Sequence, residues 1–325
     1  KITEDYEVEK QGDDEYPDGR LVKEKVTIED DRNALGEKVL TTEHVYDELG
    51  RAKMTRRFVG DEEKLADREL YFYEEGDQTA TGTLKTINYL LGDNTELKAE
   101  YTYDKNGNIA SEKFGKTGHE KTTSYKYDSN NRLVREDNEA LGKSYEYEYD
   151  GNNYRVFKQT PSEKTYYNYD GSGNLRFERR GRTEINYVYD SNGIQGMRVT
   201  VPTKDAATYY ASEEYYYIKD RFGNVRVILD KSGNIMVEYN YDAWGNFVAE
   251  KVREVCIGSV TVDLAELNAF TYRGYYYDKE SGLYYLINRY YDPTTGRFIS
   301  PDDVGYLDFE SFFGTNRYAY CLDDP

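Results

Sequence analysis

The chain is poor in the residues that most often carry chemistry. Its 325 residues include two histidines, two cysteines, three methionines and one tryptophan. His44 stands two positions before Tyr46, where comparable stretches carry tyrosine, and His119 lies in GKTGHEKT, which reads as a loop. Neither stands beside a serine or cysteine nucleophile, so a hydrolytic triad finds no support. Cys256 and Cys321 are isolated and fit no CxxC or zinc spacing, and they leave the redox compartment open. Walker and dinucleotide motifs are missing too, so no cofactor and no metal is expected. No apolar run approaches the length of a spanning helix, which argues against membrane insertion. Positive charge is also short: the formal net charge is -19. That balance repels phosphate and argues against nucleic acid and anionic membrane surfaces as partners.

Large apolar residues are scarce as well. Leu, Ile, Val and Phe together number 64, about a fifth of the chain, a composition that borders on the disordered class at this charge. What reverses that reading is tyrosine, present 37 times. Each ring buries roughly 150–250 Å² on packing, provided the hydroxyl finds a partner. The chain is therefore read as folded around tyrosine.

The tyrosines are ordered. In SYEYEYDGNNYRV, residues 144–156, Tyr145, Tyr147 and Tyr149 alternate and then give way to Asp and Asn. Alternation places side chains on one face of a strand, and Asp with Gly or Asn is turn chemistry. Tyr-Asp occurs nine times, at Tyr46, Tyr103, Tyr127, Tyr149, Tyr169, Tyr189, Tyr241, Tyr277 and Tyr291. In the first seven the fourth residue after the tyrosine is Gly50, Gly107, Asn131, Asn153, Gly173, Gly193 or Gly245. Only Gly and Asn enter the left-handed region cheaply, so that position is predicted to be left-handed in each copy. The last two copies place Gly282 and Gly296 one residue later, which predicts a longer turn. KDRFGNV and LDKSGNI keep the Asp-to-Gly spacing at Asp220 and Asp230 without the tyrosine. Seven copies carry a second tyrosine two residues earlier, at Tyr101, Tyr125, Tyr147, Tyr167, Tyr187, Tyr239 and Tyr275.

From Tyr103 to Tyr189 the copies fall 24, 22, 20 and 20 residues apart. That fits two strands of about six residues with two short turns, repeated as hairpins that depend on their neighbours. The fold class expected is all-β, an antiparallel array of hairpins. Tyrosine and turns vanish over 253–269, where Asp263 followed by LAELN predicts an N-cap and a short helix. A boundary is placed there: repeats over 1–253, a terminal module over 254–325. The chain starts at Lys1 without Met or signal peptide and reads as a piece of something longer.

Three blocks in that order, YIKDRFGNVRVILDKSGNIMVEYNYDAWGN, FTYRGYYYDKESGLYYLINRYYDPTTGRFISPDD and NRYAYCLDDP, closely resemble the core of bacterial Rhs/YD-repeat proteins. The resemblance covers residues 216–325, and the YxYDxxGN repeats extend it over nearly the whole chain. It implies a curved, spiral β-sheet shell closed at one end by an Rhs core module, enclosing a variable C-terminal toxin. It further implies a secreted or cell-surface location. Eukaryotic teneurins are similar and use the shell in adhesion, so a cell-surface glycan or protein is a second class of partner. Some bacterial members cut themselves just beyond the core, in a DPxG-type segment, using aspartates; this sequence ends at Pro325, before such a segment.

By that resemblance the self-cleavage residues here are Arg297 and Asp302, with Asp303 or Asp308 as further carboxylates. The chemistry needs two carboxylates of different proton affinity, and an arginine that holds one ionised or stabilises an oxyanion. The plainer reading makes Asp302 and Asp303 turn residues after Pro301 and Arg297 an ordinary ion-pair partner, and it is favoured for the residues present. The DKNGN turn at 104–108 fails as an EF-hand, because Gly107 is fourth and Gly115 twelfth, so Asx-turns are expected. The tyrosine stripe is read as the packed or lumen-lining face of the sheet rather than as sugar-stacking platforms. The expected role is thus a structural shell segment around a toxin. A binding module and a self-processing core are the rivals.

Overall fold

The computed structural model describes the backbone of the strands between residues 2 and 71, and residues 85–90, 96–203, 209–302, 317, 318 and 320. Two compact units divide the chain: residues 1–124 with 138–140 and 315–317, and residues 125–137, 141–314 and 318–325.

The first unit is a meander. Its strands are β1 (Ile2–Glu9), β2 (Arg20–Ile28), β3 (Lys38–Tyr46), β4 (Ala52–Val59) and β5 (Leu65–Tyr71). They are followed by β6 (Thr86–Leu90), β7 (Glu96–Tyr103), β8 (Ile109–Gly115) and the greater part of β9 (Lys121–Tyr127). Each pairs antiparallel with the next. Ile87, Ala99 and Tyr101 form a small buried cluster in this unit.

The second unit repeats the pattern with β10 (Leu133–Asn138), β11 (Lys143–Tyr149), β12 (Arg155–Gln159), β13 (Lys164–Tyr169), β14 (Leu175–Arg180) and β15 (Thr183–Asp190). It continues through β16 (Gly193–Pro202), β17 (Tyr210–Lys219), β18 (Val225–Asp230), β19 (Ile235–Tyr241) and β20 (Phe247–Val252). Short elements follow: β21 (Val255–Ile257), β22 (Val260–Val262), the helix α1 (Leu264–Leu267) and one 3-10 turn, Tyr272–Gly274. A four-stranded antiparallel sheet ends the unit, made of β23 (Tyr276–Asp278), β24 (Leu283–Tyr285), β25 (Tyr290–Asp292) and β26 (Arg297–Phe298). Asp263 caps α1 as the sequence predicts, accepting the Glu266 N–H.

The repeated turn has one construction. In DKNGN the Asp104 carboxylate accepts the N–H groups of Asn106 and Asn108 and the Asn108 side-chain amide. Asp170, Asp220, Asp230 and Asp242 do the same in their own turns. In the described copies the left-handed residue is found where predicted, with φ of 60° at Asn131, 68° at Asn153 and 96° at Gly245, while Gly50 lies outside the described residues. The longer turns are found too, since Gly282 and Gly296 donate to the carbonyls four residues earlier, at Asp278 and Asp292. His119 lies exposed in a loop, as expected.

A bulge accompanies these turns, which plain alternation did not reveal. Tyr149 pairs with Arg155 while Glu148 pairs with Phe157, so Val156 is extra; Tyr169 with Leu175 and Lys219 with Val225 repeat the slip. One extra residue restores facing, and positions three apart on the returning strand then share a face. Arg155 and Lys158, or Leu175 and Glu178, are accordingly buried together. Opposite them the leading strands bury Tyr145 and Tyr147, Tyr167, Ile185 and Tyr187, Tyr215 and Tyr217, and Tyr239. The tyrosine that ends β11 or β19 folds back, Tyr149 donating to the Leu133 carbonyl (2.7 Å) and Tyr241 to the Val225 carbonyl (2.9 Å).

Candidate functional site

The buried tyrosine face of β11–β19 is covered by the elements after β20. Tyr147 meets Tyr290, Tyr167 meets Tyr276, Tyr187 meets Phe270 and Tyr241 meets Tyr272, with ring centroids 4.7–6.1 Å apart. The Tyr217 hydroxyl donates to the Asn268 side chain at 2.6 Å, and Asn268 in turn donates to the Tyr239 hydroxyl. Of the two roles expected for the stripe, packed face and lumen lining, these strands show the packed one. The chain's own later residues supply the second aromatic layer, and Tyr147 is left 2 % exposed.

The last of the shorter repeat turns, Asp242–Asn246, shows how closely the layers fit. Three tyrosine hydroxyls donate to its consecutive carbonyls: Tyr272 to Ala243 (2.5 Å), Tyr291 to Trp244 (2.7 Å) and Tyr284 to Gly245 (2.8 Å). Asn246 returns a bond to the Pro293 carbonyl. Gly245 is obligatory on two counts, since its φ is 96° and a Cβ there would lie 2.7 Å from the Tyr272 ring.

Deeper in the layer lies a cluster of charges. The Arg155 guanidinium forks onto both carboxylate oxygens of Asp278. Lys158 approaches the same carboxylate at 2.8 Å and also contacts Glu280. Arg155 and Asp278 are wholly buried, and the rings of Tyr285, Tyr167 and Tyr276 surround the guanidinium at 4.5–5.0 Å. Burial alone would raise the Asp278 carboxyl, but Arg155 and then Lys158 hold it below the usual carboxylate range. Beside this cluster Tyr276 donates to the buried Glu178 at 2.8 Å, and Arg180 pairs with Glu178 at 2.6 Å. Breaking such a pair by removing one partner costs about 3–5 kcal/mol.

The residues singled out for self-cleavage fall nearby. Arg297 is 6 % exposed in β26, its guanidinium 5.6 Å from the Tyr318 ring centroid. Asp302 pairs with Arg289 at 2.7 Å, and Arg289 stacks on Phe298 at 3.7 Å. Burial lowers the Arg289 guanidinium although Asp302 works to raise it. The backbone before Arg289 is strained: Ile287 has φ of 64°, and Asn288 donates to the Leu286 carbonyl across it. A β-branched residue in that region is a genuine outlier. Asp303, Asp308, Cys321 and the side chain of His44 lie outside the described residues. Cys256 is a free, exposed thiol.

Sequence reasoning missed Arg289 and Arg155. For Arg155 a signal existed. Two residues after the left-handed position, other copies carry Ile109, Leu133, Leu175, Val225, Ile235 and Phe247, and this copy alone among them carries arginine.

A family model described as Teneurin YD-shell matches residues 18–211. The chain belongs to the Teneurin YD-shell family. Among curated proteins it is similar to the tRNA3(Ser)-specific nuclease WapA of Bacillus spizizenii, 28% identical over 253 residues, 70% of this chain and 10% of that protein. The tRNA nuclease WapA of Bacillus subtilis is 27% identical over the same shares. The chain thus spans about a tenth of the length of these relatives. Among solved structures, a Tc holotoxin pore of Photorhabdus luminescens aligns with 100% of this chain and 18% of its own, at 16% identity and a TM-score of 0.42. As a YD-shell chain, the protein has the antiparallel β fold that its repeats predict.

Proposed function

We propose that this chain is a wall segment of a secreted Rhs-type shell that encloses and delivers a C-terminal toxin. The observation that carries the reading is the one-sided burial of the repeats: every leading strand from β11 to β19 buries tyrosine on one side, Tyr166 and Tyr216 standing exposed on the other, and the chain's later elements are seated on the buried side. A sheet whose inner face accepts the tail of its own chain is suited to hold a domain attached to that tail. The same packing weakens a sugar-binding reading, since the rings that would stack on a pyranose are taken up by Tyr290, Tyr276, Phe270 and Tyr272. The test is protease protection in the natural chain extended past Pro325. The domain attached there is expected to resist digestion until denaturant opens the shell. Digestion at the rate of the free domain would refute enclosure.

A second reading, self-processing beyond the core, is favoured by the Arg289–Asp302 pair and by the strained turn at Ile287 that delivers Arg289. The arginine sets a positive charge 2.7 Å from one carboxylate of the aspartates that such chemistry would use. In the extended chain, Asp302→Asn is expected to stop cleavage while circular dichroism is unchanged. Cleavage at the wild-type rate would remove the reading.

A further inference from the structure

Lys158, Asp278 and Glu280 bring together an amine, a carboxyl acceptor and a second carboxyl in nearly dry surroundings. The Lys158 and Asp278 side chains are 7 % and 0 % exposed, with Nζ 2.8 Å from Oδ1. Glu280 contacts the same ammonium, and the Tyr276 ring centroid lies 5.9 Å from it. The Arg155 fork covers both carboxylate oxygens. The two reacting groups come from different layers, Lys158 from β12 of the repeat sheet and Asp278 from β23 of the terminal sheet.

We propose that Lys158 and Asp278 condense into an intramolecular isopeptide bond that welds the terminal module to the repeat sheet, with Glu280 as the proton carrier. Glu280 carries one proton from the Lys158 ammonium to an Asp278 carboxylate oxygen, and the freed amine attacks Cγ of the neutral carboxyl. As the C–N bond forms, negative charge gathers on the other oxygen, where the Arg155 N–H groups already donate. A second proton passes from the nitrogen to the hydroxyl oxygen, the C–O bond breaks, and one water leaves. Nothing is oxidised or reduced, and no outside reagent is needed.

Burial supplies the driving force. In water the ammonium and carboxylate are well solvated and do not condense; out of water each charge is costly to keep. The product replaces two buried charges by a neutral amide. Its oxygen still accepts from Arg155, its N–H can donate to Glu280, and the remaining Arg155 and Glu280 balance each other. The Arg155 fork that holds the resting carboxylate ionised is the same device that receives the oxyanion.

Intact mass of the purified, folded chain under denaturing conditions decides the matter. The expected mass is roughly 18 Da below that of the sequence, one water, with a branched tryptic peptide joining the segments of Lys158 and Asp278. The full sequence mass in protein shown folded by circular dichroism overturns the proposal and leaves an ion pair. Glu280→Gln is expected to fold and keep the full mass; loss of water in that variant overturns the role given to Glu280. Asp278→Asn is expected to lose ammonia instead, roughly 17 Da, because the leaving group changes while the bond formed does not. A water loss that persists in Asp278→Ala places the dehydration elsewhere and overturns the site.

Discussion

Replacing Gly245 by alanine tests the seating of the terminal module more sharply than any charge substitution, because a matched control exists in the same fold. Gly233 occupies the equivalent place in the preceding turn, with φ of 80° and nothing within 4 Å of where a Cβ would stand, whereas the Cβ at Gly245 would meet three Tyr272 ring atoms at 2.7–3.1 Å. Both substitutions carry the left-handed penalty of about 1–2 kcal/mol, partly offset by a stiffer unfolded chain. Only Gly245→Ala adds overpacking, about 1–3 kcal/mol against a ring held by its own hydroxyl bond to Ala243. The difference between the two variants in urea unfolding, followed by far-UV circular dichroism, is therefore expected to be about 1–3 kcal/mol. In a Tyr272→Leu background the excess is expected to vanish, so the double-mutant cycle has a coupling of the same size. Equal destabilisation by Gly233→Ala and Gly245→Ala, with no coupling to Tyr272, would refute the close fit of the layers.

Other outcomes rest on the same contacts. Tyr147→Phe is expected to be neutral or stabilising in urea unfolding, since that hydroxyl is buried without a hydrogen-bond partner, whereas Tyr276→Phe loses a bond to buried Glu178 worth about 1.5–3 kcal/mol. Asp263→Ala removes the cap of α1 and is expected to cost about 0.5–2 kcal/mol by the same assay. The turn aspartates make stability acid-sensitive. Asp170 is held below its usual range by the Asn174 N–H and then its side-chain amide, and Asp230 by the Asn234 side-chain amide and then its N–H. With the folded state releasing the proton more readily, their contribution is complete above the unfolded value near pH 4 and is lost as pH falls through the folded one. The Asp170→Asn, Asp230→Asn double variant is expected to show a shallower decline of the urea midpoint between pH 5 and pH 3, roughly the carboxylate range; an unchanged slope would count against these turns as the acid-sensitive element.

What the sequence made legible was local. A left-handed residue at a fixed offset from Tyr-Asp admits only Gly or Asn without strain, so composition at that one position exposed the turn in every described copy. The paired tyrosines exposed a face for the same reason, because alternation is a direct imprint of the pleat. The bulge left no such imprint, and without it Arg155 and Lys158 fall on opposite faces and look unrelated. The docking of the module is harder still. Arg155 and Asp278 are 123 positions apart, and a contact at that separation writes no period into the chain. The one clue is a charge in a slot that most other copies fill with apolar residues, and it is intelligible only once the bulge is known. Among the proposed processing residues, Arg297 was chosen by resemblance, while Asp302 turned out to pair with Arg289 because the tight turn at Ile287 brings that side chain round.

The consecutive pairing of the repeat strands has a consequence for the order of events during folding. Each hairpin closes a loop of about twenty residues or fewer, and closure over so short a span costs little entropy and is fast. A growing meander can thus add one hairpin at a time to an edge already formed, without waiting for distant sequence. The terminal module is the exception. Its contacts reach back to β11–β19, so they can form only after those strands exist, and its arrival converts a half-wetted aromatic surface into a dry layer. The chain is thereby built like a zip with a clasp: propagation is local and reversible, and commitment comes when the elements after β20 are seated.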